Sequence, residues 1–466
     1  MTNAVAAIDL GATSGRVILG HVGHNELSVR PVARFPNGPV RGHDGLHWDI
    51  DALYSHAVAG LAAAIREEPA VSSVGIDSWA VDYALLKNGR MLNLPFHYRD
   101  ERTAVGIEAV HAVVSPKELY DANGLQFLTF NTLYQFAAEK DLSAADGFLL
   151  VPDLLAYWLT GKQVTERTNA STTGLLSVMS GEWDDVLISR LGFARHLFPQ
   201  LVDPGTSLGS LLPEVAAQLG GNITVTAVGS HDTASAVVAA PAASEDFAYI
   251  SCGTWGLVGV ELERPVLTEA SRLANFTNEG GVDGRVRYLH NVMGLWLLSE
   301  SVREWEEAGE EISLPNLIAA ASALTTPVSV FDADDPSFQA PGDMPARIAE
   351  WCTTHGLAAP QAPAQFVRSI IESLAVAFAD AVRKASELSG KPVSVIHIVG
   401  GGSQNELLCQ LTADRSGMPV LAGPVEATAI GNVLVQARTL GFASGSLEAL
   451  RSLVAAAFSP KRYLPR

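Results

Sequence analysis

The sequence has few cysteines and few basic residues, and both shortages exclude classes of protein. Its three cysteines, Cys252, Cys352 and Cys409, have no metal-ligand spacing, and we expect them to be reduced, buried thiols. Lysine and arginine total 31 against 50 aspartates and glutamates, which gives a formal net charge of −19. Nucleic acids and anionic membrane surfaces are bound by clustered basic side chains, so neither is expected as a partner.

Long apolar runs are also missing. No uninterrupted apolar stretch is long enough to span a bilayer, and no basic segment precedes an apolar core near residue 1, so a cytoplasmic location is expected. Apolar residues nevertheless make up 48% of the 466 residues, which predicts two large folded domains. Amphipathic stretches alternate with short apolar ones, which predicts an α/β fold with a helix over 53–67 and strands at 74–76, 80–86, 148–151 and 223–228.

Residues 5–20 read as an apolar strand, a small polar turn and a second apolar strand. Gly11 and Gly15 allow a tight turn, while the hydroxyls of Thr13 and Ser14 and the N–H groups of the turn are suited to an anion. Asp9 lies where a cation would be held. The Gly-Lys-Ser/Thr of a Walker A loop is missing, and a strand follows the turn, so the pattern predicts a phosphate-binding hairpin of another nucleotide fold.

A similar strand, turn and strand occupies 247–260, with Gly253-Thr254 in its turn, and follows a predicted hinge at 238–244. Either the two hairpins are an internal repeat that grips phosphates from two domains, or they are unrelated. The domains are expected to cover 1–240 and 241–466. A third glycine cluster at 400–402 either supports a ring or ribose on bare backbone or is a tight strand-to-helix turn.

Asp232 stands in the segment Gly229-Ser230-His231-Asp232-Thr233, between a predicted strand and a helix of small residues. Asp232 or Ser230 is able to cap that helix. Alternatively, Asp232 is a general base, since phosphoryl transfer uses a carboxylate beside the acceptor hydroxyl. Asparagine replaces a capping aspartate but not a proton acceptor, so one substitution separates the two roles.

The segment 76–83 has two acids around an aromatic residue. In a regular strand Trp79 and Val81 would share one face, with Ala80 and Asp82 on the other. A small residue beside an apolar platform and planar polar groups suits a polyol. A buried tryptophan flanked by solvated acids is the alternative interpretation.

Taken together, these segments resemble the FGGY family of carbohydrate kinases along nearly the whole chain. Two motifs are specific within the family, namely Phe-Asn-Thr-Leu-Tyr-Gln at 130–135 and Asn-x-Met-Gly-Leu-Trp-Leu-Leu at 291–298. The resemblance also includes the segments 9–16, 75–82, 126–135, 230–237, 251–255, 278–281 and 400–405.

The resemblance implies two ribonuclease H-like domains of the actin and hexokinase type, flanking a central cleft. It implies transfer of the γ-phosphoryl group of MgATP to the 1-hydroxyl of L-rhamnulose, a step of L-rhamnose catabolism, and implies no protein partner. The base is then Asp232, and Asp9 orients Mg²⁺ through water. The implied sugar contacts are Ala80, His231, Asp232, Thr233 and Asn291, and the implied ATP contacts are Ala12, Thr13, Ser14, Gly15, Arg16, Thr254, Ser299 and Gly401.

Two positions depart from the family pattern. Ala80 stands where the pattern has glycine, which adds a methyl group beside the sugar, and Ser299 stands where it has glutamine, which shortens a contact to ATP. Kinases for L-fuculose, L-ribulose or D-xylulose remain alternatives. So does a non-catalytic, actin-like ATP-binding sugar sensor. A nicotinamide-dependent dehydrogenase is not favoured, because this sequence lacks the glycine fingerprint of such enzymes at a domain start.

Overall fold

Strands and helices alternate over residues 3–23, 26–140 and 142–466, the parts of the chain that the computed structural model describes. The strands are β1 Asn3–Leu10, β2 Ser14–Gly23, β3 Glu26–Pro36, β4 Pro39–Arg41, β5 Leu46–Trp48, β6 Val71–Ser78, β7 Tyr83–Lys87, β8 Arg90–Met91, β9 Gly147–Leu150, β10 Val164–Glu166, β11 Gln200–Val202, β12 Ser207–Ser210, β13 Thr224–Thr226, β14 Phe247–Cys252, β15 Gly256–Leu262, β16 Thr277–Gly280, β17 Val286–Val292, β18 Val395–Val399, β19 Val420–Ala422 and β20 Lys461–Tyr463. The α-helices are α1 Ile50–Glu67, α2 Thr103–His111, α3 Pro116–Asn123, α4 Thr132–Ala137, α5 Val151–Thr160, α6 Arg167–Ala170, α7 Asp185–Arg190, α8 Pro213–Leu219, α9 Asp232–Val238, α10 Glu269–Leu273, α11 Trp296–Glu307, α12 Leu314–Ala323, α13 Met344–Thr354, α14 Pro363–Ser389, α15 Glu406–Ser416, α16 Ala427–Thr439 and α17 Leu447–Ala457.

These elements form two compact units, each built from separate parts of the chain. The first unit consists of Met1–Ala243, Glu261–Tyr288 and Ala427–Ala457. The second consists of Ser244–Val260, Leu289–Glu426 and Phe458–Arg466.

The first unit is built on a six-stranded sheet with the order β12-β13-β6-β1-β2-β3. β1, β6 and β13 are parallel to one another, whereas β2 returns antiparallel to β1. β1 is buried along almost its whole length, as expected for a central strand covered on both faces. Helices cover those faces: a Cβ at Gly60 of α1 would meet Val17, and a Cβ at Gly20 would meet Val433 of α16.

Two helices of the first unit approach each other very closely. A Cβ added at Gly431 of α16 would stand 1.8 Å from the carbonyl oxygen of Ser235 in α9. Only glycine allows this approach. This close packing places polar side chains of α16 against the sheet. Gln436 of α16 donates a 2.8 Å hydrogen bond to the carbonyl oxygen of Ala6 in β1.

In the second unit, strands of the main sheet run in the order β17-β15-β14-β18-β19-β20. β14 pairs antiparallel with β15 and parallel with β18, which is the arrangement that β1 has with β2 and β6. The two predicted hairpins therefore occupy equivalent places in their sheets, as an internal repeat requires. The longest helix, α14, packs on this sheet, with Phe378 against Gly256, and ends at Gly390 in the left-handed conformation.

Most predicted elements are present. The strand at 74–76 lies in β6, the helix at 53–67 lies in α1, and the stretches 148–151 and 223–228 overlap β9 and β13. The strand predicted over 80–86 is wrong in its first half, because β7 begins at Tyr83. All three cysteines are buried and free, as expected, and none of the helices in the described ranges has the length and hydropathy needed to cross a membrane.

Candidate active site

In the first unit, candidate residues follow the carboxyl ends of three adjacent parallel strands, β1, β6 and β13. The loops after these strands are joined by backbone hydrogen bonds from Ser78 N to Ser230 O (2.9 Å) and from Trp79 N to Leu10 O (3.2 Å). Ligands of open α/β sheets bind at this edge of the sheet. The sheet therefore brings together three separate segments that the sequence singled out.

Two carboxylates face each other across β1 and β6. Asp9 pairs with Asp77 in the parallel register and with Arg16 across the hairpin, and Arg16 Nε donates to Asp9 Oδ2 at 2.8 Å. Asn432 Nδ2 donates to Asp77 Oδ2 at 2.6 Å. Burial and the charge of Asp9 raise the pKa of Asp77 well above its ordinary value, the charge of Asp232 adds to this, and the bond from Asn432 opposes it.

The turn between β1 and β2 is shaped by short backbone bonds and presents hydroxyls to solvent. Gly11 N donates to Ser14 O at 3.0 Å, and Asn37 Nδ2 donates to Gly11 O at 2.8 Å. Thr13 and Ser14 are exposed, as an anion-binding turn requires, and Ala12 is partly exposed. Gly15 is also tightly packed, because a Cβ there would stand 2.1 Å from the ring of Phe35. Packing against Phe35 therefore requires glycine at this position.

Asp232 is the first residue of α9, and its two carboxylate oxygens have different surroundings. Oδ1 accepts from Thr233 N (2.5 Å) and from Thr233 Oγ1 (3.1 Å), and it lies 3.4 Å from His231 Nε2. Within the described ranges no hydrogen bond is made to Oδ2, and the side chain is 31% exposed. His231 is the N-cap residue and makes no side-chain cap bond, and the only backbone N–H in the described ranges that donates to Asp232 is that of the adjacent Thr233. One oxygen is thus held while the other is open.

A buried glutamate holds the segment that leads to Asp232. Glu166 Oε2 accepts from Ser230 N (2.9 Å) and from Ser230 Oγ (2.8 Å). The same carboxylate accepts from Thr168 N and Thr168 Oγ1, and burial raises its pKa. Nothing in the sequence around Glu166 pointed to this role, because its partner is 64 positions away.

The loop that carries Ala80 is held by a network around Asp82. Asp82 N donates to Ala80 O at 2.9 Å across Val81, whose φ is +67°. A turn of this kind is strained, and more so for a β-branched residue. Thr132 Oγ1 donates to Val81 O at 2.7 Å, and Gln135 Nε2 donates to Asp82 Oδ1 at 2.9 Å. The specific motif at 130–135 therefore fixes the backbone beside Ala80.

The alternation expected for residues 79–82 is wrong. Regular alternation puts Trp79 and Asp82 on opposite faces of a strand, but Trp79 Nε1 donates to Asp82 Oδ2 at 3.0 Å within the turn. Trp48 Nε1 (2.6 Å) and Tyr98 N (3.1 Å) donate to the same oxygen. Burial raises the pKa of Asp82 to about 6, against these hydrogen bonds. Asp82 is therefore a buried anchor of the loop, and neither it nor Trp79 is solvated.

In the second unit, the motif at 291–298 packs on the turn that contains Thr254. Gly294 has a φ of +62°, and a Cβ there would stand 2.4 Å from the backbone of Trp255. Leu295 N donates to Gly253 O (3.1 Å) and Trp296 N to Thr254 O (3.0 Å). Asp334 holds the preceding strand through Met293 N (3.0 Å). This packing brings β17, which carries Asn291, to the Thr254 turn.

The glycine cluster after β18 lies beside the end of β14. A Cβ at Gly402 would stand 2.2 Å from Cys252 Sγ, whereas one at Gly401 would meet no atom within 4 Å. Gly402 is therefore required for packing, and Gly401 faces open space. Ser299 lies in the first turn of α11 and is exposed. Each unit thus offers candidate residues at the carboxyl ends of its parallel strands.

Comparison with known proteins identifies the family. Residues 4–239 match the N-terminal domain and residues 248–440 the C-terminal domain of the FGGY family of carbohydrate kinases. The chain belongs to this family, and such a kinase takes a sugar and ATP as its substrates.

Relatives and solved structures agree with this assignment. The chain is 42% identical to the rhamnulokinase of Bacteroides thetaiotaomicron, over 99% of this chain and 95% of that protein. It is 40% identical to the rhamnulokinase of Oceanobacillus iheyensis, over 92% of each chain. Its fold is similar to that of a xylulose kinase from Lactobacillus acidophilus (TM-score 0.78, 16% identity, 100% and 94% of the two chains) and of Plasmodium falciparum glycerol kinase with ADP (0.79, 14%, 100% and 94%). The predicted two-domain α/β kinase fold is confirmed.

Proposed function

We propose that this protein transfers the γ-phosphoryl group of ATP to the 1-hydroxyl of L-rhamnulose. The relatives that are 40–42% identical over 92–99% of the chain are named rhamnulokinases, which supports this substrate. The geometric observation that carries the chemistry is Asp232, with Oδ1 held by Thr233 and Oδ2 open. A carboxylate in this state is ready to accept a proton.

In the proposed reaction, the 1-hydroxyl oxygen of the ketose attacks the γ-phosphorus. The bond between that phosphorus and the oxygen bridging to the β-phosphate breaks, and ADP leaves with the electron pair. Asp232 Oδ2 accepts the hydroxyl proton. In reactions of this type positioning contributes most of the rate, and the carboxylate orients the acceptor and takes its proton.

We assign the remaining contacts as the family resemblance implies. His231, Thr233, Asn291 and the backbone at Ala80 contact the sugar, and the ATP contacts are Ala12, Thr13, Ser14, Gly15, Arg16, Thr254, Ser299 and Gly401. The sugar contacts at Ala80, His231 and Thr233, the base and the phosphate-binding hairpin then belong to a domain of residues 1–240, and the remaining nucleotide contacts belong to one of residues 241–466. The exposed hydroxyls of Thr13 and Ser14 and the open space at Gly401 support these assignments.

Asp9 is the proposed contact to Mg²⁺, through water. Magnesium bound with a nucleotide is commonly held by one or two carboxylates, phosphates and water. Asp9 and Asp77, paired across β1 and β6, fit that donor set, and Asp77 Oδ1 has no hydrogen-bond partner in the described parts of the chain. When bound, the ion would neutralise charge on the phosphates. Asp9 would orient it, with Arg16 fixing the carboxylate.

The substrate is tested with a panel of ketoses on the purified protein and a coupled assay for ADP. We expect ADP only when sugar is added, with the highest kcat/KM for L-rhamnulose among L-rhamnulose, L-fuculose, L-ribulose and D-xylulose. Phosphorus NMR of the product reads which hydroxyl is phosphorylated. A clear preference for another ketose would overturn the substrate, and ATP binding without sugar-stimulated turnover would instead indicate a sensor.

Ala80→Gly is expected to change sugar preference without changing the chemistry. Removing a methyl group beside the sugar should alter the ratio of kcat/KM for L-rhamnulose and L-ribulose by about 10-fold, through KM, since a methylene in a pocket has effects of this size. The KM for ATP should stay constant. Ala274→Gly, at the end of α10, is the matched control, and equal ratios in both variants would argue against a sugar contact at Ala80.

Gly401→Ala is expected to raise the KM for ATP by about 10-fold while the protein keeps its thermal stability. Its Cβ would enter open space, so the fold tolerates it, but a nucleotide resting on this backbone would meet the methyl group. Gly38→Ala, which also places a Cβ in open space, is the control and should change neither quantity. An unchanged KM for ATP in Gly401→Ala would remove Gly401 from the nucleotide site.

A further inference from the structure

A fully buried arginine of the first unit reaches the residue before the proposed base. Arg287, on β17, has a side chain that is 0% exposed. Its Nε donates to Gly280 O at 2.9 Å, and its Nη2 lies 3.0 Å from His231 Nδ1. Glu279 Oε2 lies 3.2 Å from the same Nη2 and balances the charge. Arg287 is thus held from two sides with one N–H group aimed at His231.

The contact between Arg287 and His231 determines where the imidazole carries its proton. A guanidinium has only donors, so a nitrogen 3.0 Å away must accept. His231 Nδ1 is therefore the acceptor, and the ring proton of the neutral form is on Nε2. Glu279 Oε2 also lies 3.4 Å from Nδ1, but Arg287 occupies the lone pair that a proton would need.

The Nε2–H of His231 is on the side of the ring that faces Asp232. The distance from Nε2 to Asp232 Oδ1 is 3.4 Å, which is longer than a usual hydrogen bond, and catalytic contacts that are long in the free enzyme commonly shorten when substrate binds. Once this contact shortens, the Nε2–H adds a third donor to the two from Thr233 on the same oxygen. Oδ1 is then fully occupied, and the proton of the acceptor hydroxyl goes to Oδ2.

We propose that Arg287, held by Glu279, is a positioning residue that fixes His231 as the Nε2–H tautomer, so that His231 orients the carboxylate of Asp232 with Oδ2 towards the acceptor. This inference rests on the proposed function for its effect on turnover, but the tautomer itself is independent of any substrate. Arg287 touches neither substrate nor reacting atoms. Its effect passes through His231.

The test removes the pair together, because removing Arg287 alone would leave a buried, unpaired Glu279 and risk misfolding. The variant Glu279→Gln/Arg287→Met keeps both side-chain volumes and removes the N–H donor to His231. The matched control is Glu261→Gln/Arg451→Met, which removes another buried pair of the first unit. There Arg451 Nη1 bonds Glu261 Oε2 at 2.9 Å, and the pair makes no described contact with His231.

Two measurements are made on the full chain. In the wild type labelled with ¹⁵N-histidine, the His231 signal, assigned by its loss in His231→Asn, should have a protonated Nε2 and an unprotonated Nδ1. In Glu279→Gln/Arg287→Met we expect the other tautomer or a mixture. We also expect kcat to fall by roughly 10- to 100-fold, as for other residues that orient a functional histidine, with the KM for ATP unchanged. The control should keep the wild-type tautomer and kcat.

The outcomes separate this inference from the proposed function. An Nδ1–H tautomer in the wild type, or an unchanged spectrum in Glu279→Gln/Arg287→Met, would overturn the tautomer assignment. A changed tautomer with an unchanged kcat would overturn the positioning role. If the wild type phosphorylates no ketose of the panel, the proposed function fails, the role in turnover is withdrawn, and the spectra still decide whether Arg287 fixes His231.

Discussion

Asp232→Asn is expected to lose turnover by at least roughly 100- to 10,000-fold, the range that a positioned general base contributes, while the protein melts at nearly the wild-type temperature. Asparagine keeps an oxygen at the place of Oδ1, so the bonds from Thr233 N and Thr233 Oγ1 remain. The amide cannot take the hydroxyl proton at the place of Oδ2. Sugar-dependent ADP release and a thermal melt on the same sample measure the two quantities.

The control for Asp232→Asn is an aspartate whose only described role is to cap a helix of the same unit. Asp184 accepts from Val186 N (3.1 Å) and Leu187 N (2.9 Å) at the start of α7. Asp184→Asn should change neither the melt nor the turnover, because asparagine caps equally well. If Asp232→Asn behaved in the same way, Asp232 would not be the proton acceptor and another base would be needed.

How much of this site can be predicted from the sequence depends on how far apart along the chain the contacting residues lie. The hairpin that contains Asp9 and Arg16 is predictable, because strand, turn and strand are contiguous and the two residues are seven positions apart. The placement of Asp232 after a strand and at a helix start is equally local. The motif at 130–135 is recognisable in the sequence, but only the structure shows that its side chains donate hydrogen bonds to Val81 and Asp82.

The contacts that were missed join distant parts of the chain. Asn432 bonds Asp77 across 355 positions, and Arg287 reaches His231 across 56. No pattern of apolar residues encodes such pairs, since each is set by packing of whole elements. The strand prediction for the loop at 79–82 is wrong for a related reason. Its apolar residues have a high propensity for strands, which predicts a strand here. In the structure, four hydrogen-bond donors around the buried Asp82 stabilise a strained turn instead.

Asp82→Asn is expected to destabilise the first unit by about 3 kcal/mol and to raise the KM for sugar. The carboxylate of Asp82 receives four donors: Trp48 Nε1, Trp79 Nε1 and Tyr98 N on Oδ2, and Gln135 Nε2 on Oδ1. Asparagine offers one oxygen, so whichever way its amide points, an NH₂ group meets at least one buried donor. The loop that carries Ala80 loses its anchor. Urea or thermal unfolding and sugar kinetics measure both effects.

Asp153 is the matched control, because it is also buried but its carboxylate accepts fewer hydrogen bonds than that of Asp82. Its Oδ1 accepts from Glu166 N at 3.1 Å, and Oδ2 has no hydrogen-bond partner in the described ranges. Burial, and then the charge of Glu166, raise the pKa of Asp153 well above its ordinary value. Asp153→Asn keeps the one bond and removes a carboxyl group whose ionised form is disfavoured by burial, so it should leave stability at neutral pH unchanged or higher. A loss as large as that of Asp82→Asn would show that the number of donors is not what distinguishes the two sites.

The pH dependence of Asp153→Asn follows from the direction of that pKa. In the unfolded chain an aspartate loses its proton near pH 4, whereas in the folded protein Asp153 keeps its proton to a higher pH. The folded state then binds more protons than the unfolded state, so this group lowers stability as the pH rises from about 4 to the raised value. Asparagine does not titrate. The stability of Asp153→Asn relative to the wild type should therefore increase as the pH rises above about 4, and a difference that stays constant with pH would mean that burial does not hold the proton on Asp153.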